Sequence, residues 1–168
     1  MPDYVSRAGQ KLEHAIATFS IDVTGKTCAD LGCSTGGFTD CMLQHGAQKV
    51  FAVDTGYGVL DWKLRNDPRV IVLERTNAMH VKLLEPVQLI SIDVAWTRQK
   101  NILPSARRLL DANGIVISLI KPHYEASQTL AEVKTDIEAA GFQLLQTVES
   151  PIKGAKGNTE FLGLLELI

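Results

Sequence analysis

Residues 27–31 form a short apolar run that ends in Asp30-Leu31 and passes directly into Gly32-Cys33-Ser34-Thr35-Gly36-Gly37-Phe38. The segment that follows, 37–45, reads as a helix. A strand, a tight glycine-bearing turn and a helix in that order make a nucleotide-cofactor loop. The glycines let the backbone approach a ligand closely, and the helix N-terminus offers unpaired N–H groups. The spacing Gly-x-x-x-Gly-Gly differs from the Gly-x-Gly-x-x-Gly that seats a pyrophosphate on the first helical turn, which points away from NAD and FAD. A carboxylate at Asp30 would repel a phosphate and suits a cofactor with a positive or hydrogen-bond-donating group. S-adenosylmethionine, with its ammonium and sulfonium, fits that description. The competing reading is a sharp strand-to-helix turn in which Asp30 or Ser34 is only a local cap.

Around this loop the chain alternates strands with helices. Leu12, Ala15, Ile16 and Phe19 recur at helical spacing in residues 6–19, with Lys11 off the apolar face and Ser6 as N-cap. Strands are expected at 27–31, 49–54, 70–73, 88–93, 115–120, 142–148 and 160–168. Helices are expected at 37–45, 59–65, 100–110 (with Pro104 near its first turn) and 127–140, the last capped by Ser127 and stopped by Gly141. Asn113-Gly114 is read as the turn into the apolar run 115–120, a central parallel strand covered on both faces. This pattern predicts an α/β, Rossmann-like fold: a seven-stranded, mostly parallel sheet with helices on both faces. The two final strands, joined without a helix, make its last strand antiparallel. We expect one domain over 1–168, with no repeats, low-complexity segments or linker.

With 168 residues, 45% hydrophobic and 21% charged, the chain is long enough for a well-buried core. No apolar run approaches the length of a membrane helix and the first residues do not resemble a signal peptide, so the expectation is a cytoplasmic protein without a membrane partner. Cys28, Cys33 and Cys41 match neither a zinc pair nor a redox Cys-x-x-Cys; they are expected to be reduced thiols, two of them buried around the glycine loop, and no metal ligand set is read. A formal net charge of −2 excludes a globally basic nucleic-acid binder but not a local basic face.

Ligands in open α/β sheets bind outside the carboxyl ends of the strands. Asp30, Asp54, Asn77, Asp93 and Lys121 all fall there, with Asp54 about where Rossmann-like folds place the acid that holds ribose hydroxyls and Asn77 set near the adenine. Lys121-Pro122 follows the most apolar strand, and the proline prevents its continuation. A site that mixes lysine with carboxylates is suited to proton transfer as well as binding.

Several phrases, in order, resemble the motifs of FtsJ-like RNA methyltransferases. They are Ser6-Arg7-Ala8-Gly9-Gln10-Lys11-Leu12, Asp30 through Phe38, Ile92-Asp93-Val94, Ile120-Lys121-Pro122 and Gly157-Asn158-Thr159-Glu160-Phe161-Leu162. The phrases at Thr39-Asp40-Cys41, Glu74-Arg75-Thr76-Asn77-Ala78 and Ser150-Pro151-Ile152-Lys153-Gly154 are similar to the hemolysin A (TlyA) branch, whose members methylate ribose 2′-hydroxyls of ribosomal RNA. The resemblance runs nearly end to end. It implies an S-adenosylmethionine fold and a Lys-Asp-Lys-Glu catalytic set, which falls on Lys11, Asp93, Lys121 and Glu160. It also implies cofactor contacts from Asp30, Gly32, Ser34, Gly36, Gly37, Phe38, Asp54, Asn77 and Asp93. Taken singly, the four catalytic candidates have mundane roles: helix surface, strand cap, strand-end charge and cross-strand charge.

The chemistry suits these residue types. A ribose hydroxyl is a poor nucleophile, so a base must take its proton during in-line attack on the methyl group. A lysine serves as base only where like charge or burial favours its neutral form, and the second lysine and the sulfonium supply like charge. Lys121 is thus expected to be the general base, with Lys11 assisting and Asp93 and Glu160 holding the ammonium groups. The chain departs from the branch in three ways. It begins almost at the catalytic helix, without the usual N-terminal S4-type RNA-binding domain. The stretch after Lys121-Pro122-His123-Tyr124-Glu125 is shorter, and Trp96-Thr97-Arg98 replaces an apolar segment. The expected partner is RNA, ribosomal RNA or a ribosomal particle, selected with help from a separate RNA-binding domain or protein. The rival readings are a noncatalytic S-adenosylmethionine-binding domain and methylation of a non-RNA acceptor.

Overall fold

The computed structural model describes residues 3–95, 97–122 and 129–168. Strands β1 (Thr27–Leu31), β2 (Lys49–Val53), β3 (Val70–Leu73), β4 (Val87–Ile92), β5 (Leu110–Ile120), β6 (Phe142–Glu149) and β7 (Phe161–Leu167) form one seven-stranded sheet in the order β3-β2-β1-β4-β5-β7-β6. The first five strands run parallel, and β7 lies antiparallel to both β5 and β6. The helices are α1 (Ala8–Phe19), α2 (Gly37–Gln44), α3 (Trp62–Arg65), α4 (Gln99–Leu109) and α5 (Leu130–Ala139).

The parallel strands read as continuous apolar runs because both faces of the sheet are covered. On β1, Cys28 faces the cluster that holds Leu12, Ile16 and Phe19 of α1 and Met42 of α2. Ala29 and Leu31 face the cluster on the other side, with Ile102, Leu103 and Ala106 of α4 and Val133 and Ile137 of α5. The period-2 alternation thus divides one strand between two cores. Burial at Leu12, Ala15, Ile16 and Phe19 matches the stripe that the sequence predicts for α1.

The differences from the sequence expectations lie at element ends. Helix α1 has Arg7, not Ser6, at its N-cap and no side-chain cap; it ends at Ser20 in a left-handed conformation. Ser127, read as the cap of the fifth helix, lies outside the described residues. That helix is capped by Thr129, whose hydroxyl accepts from Glu132 N–H while the Glu132 side chain accepts from Thr129 N–H, a complete capping box. Pro104 stands at the sixth residue of α4, which begins at Gln99, one residue before the expected start. Asn113-Gly114 is not a turn between elements: β5 begins at Leu110 and absorbs the pair at a register shift against β4. Such an irregularity leaves backbone unpaired without ending a strand.

Ile90, fully buried on β4 between β1 and β5, tests this packing against Leu84, 95% exposed. Ile90→Ala should cost about 2–5 kcal/mol in denaturant unfolding, whereas Leu84→Ala stays within about 0.5 kcal/mol. Equal effects would contradict the assignment of the core.

Candidate active site

In the order β3-β2-β1-β4-β5, connections leave β1 for β2 on one side while β4 lies on the other, so the crevice opens at the carboxyl ends of β1 and β4. The glycine loop leaves β1 here and Asp93 follows β4. Gly32 has φ +84, and a Cβ on it would lie 2.2 Å from the Asp93 carbonyl oxygen. Only glycine permits this approach, which sets the distance between the two strand ends. Gly36, with φ +107, is the N-cap of α2, and Gly37 packs so closely on α1 that a Cβ would meet Ser6 Oγ at 2.3 Å.

Two clefts open at this edge. The larger, about 510 Å3, is lined by Gly32, Ser34, Asp54, Asn77 and Asp93, with Val53, Ala78, Val94 and Ile102 among its apolar walls. The smaller, about 200 Å3, is lined by Ser6, Ser34, Gly37, Phe38 and Asp93. Gly32, Ser34 and Asp93 border both, so one elongated ligand could lie across the glycine loop. Asp54 is tied down at the mouth: Oδ1 accepts from Ser34 N–H at 3.2 Å and Oδ2 from Gly56 N–H at 2.8 Å. Asn77 is exposed, and its Oδ1 accepts from Met79 N–H at 2.9 Å. Behind Asp54, Arg65 pairs with Glu74, and the Arg75 guanidinium stacks 4.3 Å from the centre of the Tyr57 ring.

Asp30 also lines the smaller cleft, from its floor. It has no exposed surface, and its carboxylate is turned beneath the smaller cleft, where Thr39 Oγ1 donates at 2.7 Å and Ser91 Oγ at 3.2 Å. Loss of solvent raises its pKa from 3.8 to about 7, against the lowering effect of those two hydroxyls, and the nearby Asp93 charge adds to the rise. All three cysteines, not two, are buried as free thiols, and burial pushes each pKa upward.

The four charged candidates form two ion pairs. Lys121 Nζ donates to Asp93 Oδ1 at 2.6 Å, and Lys11 Nζ donates to Glu160 Oε1 at 2.7 Å. Ile120 of β5 pairs with Phe161 of β7, which places Lys121 and Glu160 at neighbouring strand ends. Glu160 is 4% exposed, and a Cβ on Gly154 would sit 2.2 Å from its Oε2. The 150–158 loop therefore closes directly over this carboxylate. Of the other motif residues, Trp96, His123, Tyr124 and Glu125 lie outside the described residues.

Sequence reasoning missed the apolar walls Ala78, Val94 and Ile102, which come from three separate segments and share no periodicity. It also missed Ser91 and Thr39, although a serine inside Leu89-Ile90-Ser91-Ile92 signals a buried polar partner.

A Rossmann-like sheet with a glycine loop, strand-end acids and joined clefts defines a methyltransferase of the S-adenosylmethionine-dependent class. Residues 4–166 match the family model for FtsJ-like methyltransferases, and the chain belongs to that family, with S-adenosylmethionine as cofactor. It is 41% identical to hemolysin A of Brachyspira hyodysenteriae, over 95% of this chain and 75% of that protein. It is 35% identical to the 16S/23S rRNA (cytidine-2′-O)-methyltransferase TlyA of Mycobacterium tuberculosis, over 94% of this chain and 66% of that protein. The crystal structure of a Lactococcus lactis protein named as a hemolysin candidate superposes with a TM-score of 0.91 at 41% identity, over 96% of this chain and 88% of that one. The chain thus spans about two thirds to three quarters of the curated relatives' length.

The buried acid yields a pH prediction. Because the folded state holds the Asp30 proton more tightly than the unfolded chain, its contribution is greatest below about pH 3.8 and is lost as pH rises through about 7. Asp30→Asn removes this term while keeping a side chain that can bond to Thr39 and Ser91. The variant's stability relative to wild type should therefore rise between pH 5 and pH 8 in denaturant titrations; a constant difference would mean that Asp30 is ionised throughout.

Proposed function

We propose that this chain methylates a ribose 2′-hydroxyl of ribosomal RNA, with Lys121 as general base. The observation that carries the reading is the pairing of Lys121 with Asp93, because Asp93 also walls both cofactor clefts. Similarity to a named rRNA (cytidine-2′-O)-methyltransferase supports the choice of acceptor.

The residues present fit S-adenosylmethionine. The larger cleft is of the size usual for small-ligand sites, and the apolar walls Val53, Ala78, Val94 and Ile102 suit a flat base. Asp54 would accept from ribose hydroxyls, with Asn77 near the base edge. Gly36, Gly37 and Phe38 would shape the end that takes the amino-acid portion, over the buried Asp30. When bound, the cofactor supplies a methyl group on a positively charged sulfur.

The chain's own residues do the rest. Asp93 fixes Lys121 Nζ beside the clefts, and in its neutral form this nitrogen takes the acceptor hydroxyl's proton as the oxygen attacks. Glu160 holds Lys11 from the buried side, so Lys11 orients the acceptor without swinging away. Both lysines are thereby placed before the substrate arrives, which is how position alone lowers a barrier.

RNA grip is less well provided. Lys11, Lys121 and Arg98 are engaged with Glu160, Asp93 and Asp136, and Lys153 with Glu149 and Thr159, which leaves Arg7, Lys100 and Lys156 of this set as exposed cations for the rim. Phosphate contacts supply most nonspecific affinity. A separate RNA-binding domain or protein, or an assembled ribosomal particle, is therefore proposed to complete target selection.

Two substitutions separate binding from chemistry. Lys121→Ala should leave S-adenosylmethionine affinity near wild type in titration calorimetry and abolish single-turnover transfer, because the base acts in the transition state. Asp54→Ala should weaken cofactor binding by about 1–3 kcal/mol. If Lys121→Ala keeps most of the wild-type rate, the base is another group, Lys11 first.

A further inference from the structure

At the opposite end of α2 from Gly37, Glu13 of α1 faces Cys41 and His45. The thiol, imidazole and carboxylate ligand atoms all lie within 4.8 Å of one another. None of the three residues lines either cofactor cleft. Cys41 and His45 are four residues apart and therefore share one helical face, and Glu13 meets that face across the α1–α2 contact. Glu13 Oε2 lies 3.9 Å from Cys41 Sγ and is hydrogen-bonded to His45 Nε2. The Tyr4 hydroxyl donates to the same carboxylate at 2.6 Å. A cysteine kept for packing alone needs only apolar neighbours; this one, with no exposed surface, points its sulfur at a carboxylate and an imidazole.

We propose that Glu13, Cys41 and His45 form a structural site for a borderline-soft divalent cation of the zinc type, clamping α1 to α2. One sulfur, one nitrogen and one carboxylate oxygen are the donors zinc prefers; calcium or magnesium would require more oxygen ligands than are present. Tetrahedral coordination sets ligand atoms about 3.4–3.6 Å apart. The sulfur–oxygen separation of 3.9 Å is already near that value, while His45 and Glu13 would exchange their mutual hydrogen bond for bonds to the ion. On binding, the Cys41 thiol proton goes to solvent as the sulfur–metal bond forms. His45 donates its Nε2 lone pair and keeps its proton on Nδ1. Tyr4 stays outside the ligand set and orients the carboxylate, the usual task of a second hydrogen-bonding layer. Side-chain exposures of 30% at His45 and 27% at Glu13 give the ion an entry and leave a fourth position for water. The ion takes no part in methyl transfer; it fixes the helix that carries Lys11.

The test uses Co(II), then Zn(II), added to the reduced, metal-stripped full chain. Wild type should bind one equivalent of Co(II), with a thiolate-to-metal charge-transfer band that Zn(II) removes, and Zn(II) should raise the melting temperature. Cys41→Ser should lose the band, and His45→Asn, which removes a direct ligand, should lower Co(II) affinity by at least the roughly tenfold that loss of an outer hydrogen-bond partner costs a metal site. Both should lose the thermal response to Zn(II). If Cys41→Ser fails to fold, His45→Asn, altered at a part-exposed position, decides alone. Failure to bind either metal one-to-one, or wild-type binding in either variant, would overturn the proposal. Every readout is independent of cofactor and of RNA.

Discussion

The approach of Gly32 to the Asp93 backbone is the constraint on which the site depends. Two adjacent parallel strands, β1 and β4, end beside each other, and the chain leaving β1 must turn without a side chain in the way. Because that turn is made at a positive φ, the next residues can reach the N-terminus of α2 directly, with Gly36 and Gly37 completing the change of direction. The same approach makes Asp93 a shared wall of both clefts and, through Lys121, ties the glycine loop to β5. A larger residue at position 32 would separate the strand ends, and with them the clefts from the lysine.

Electrostatics at this edge are arranged by depth. Asp30, with no exposure, is held by hydroxyls, and its desolvation favours the neutral acid. Glu160, nearly as buried, is instead paired with a lysine and covered by Gly154. Asp93 and Asp54 are partly exposed and face the clefts. Three layers result: a proton-sensitive floor, a buried clamp on Lys11, and accessible acids that line the clefts, one of them holding Lys121. A buried charge without a partner is costly, so pairing and neutralisation are the two available solutions, and the fold uses both.

Much of this was legible in the sequence. The strands showed because Val50 to Val53 and Ile115 to Ile120, covered on both faces, are apolar runs too short for helices that alternate along the chain with helical patterns. The strand-end positions of Asp54, Asp93 and Lys121 followed from the parallel order alone. Which carboxylate holds which lysine did not follow: register puts Glu160 beside Lys121, yet Glu160 bonds Lys11, 149 residues away in the chain. Nor could the sequence tell that Asp30 lies under the cleft, since strand-end placement fixes a backbone position and not what the carboxylate meets. Helix ends were misjudged where the first turn closes without a side-chain cap, as at Arg7 one residue past Ser6, and where Thr129 and Glu132 form a reciprocal pair two residues beyond Ser127. The cluster at Glu13, Cys41 and His45 escaped notice because cysteine spacing is blind to a carboxylate supplied by another helix.

The central claim is that this edge delivers a methyl group to a ribose hydroxyl. The most direct measurement is transfer from radiolabelled S-adenosylmethionine to ribosomal particles and to their purified RNA, followed by nuclease digestion and identification of the labelled nucleoside. The account predicts label on a 2′-O-methylated nucleoside, lost with Lys121→Ala. Label on a base, or on ribosomal protein with none on RNA, would contradict it.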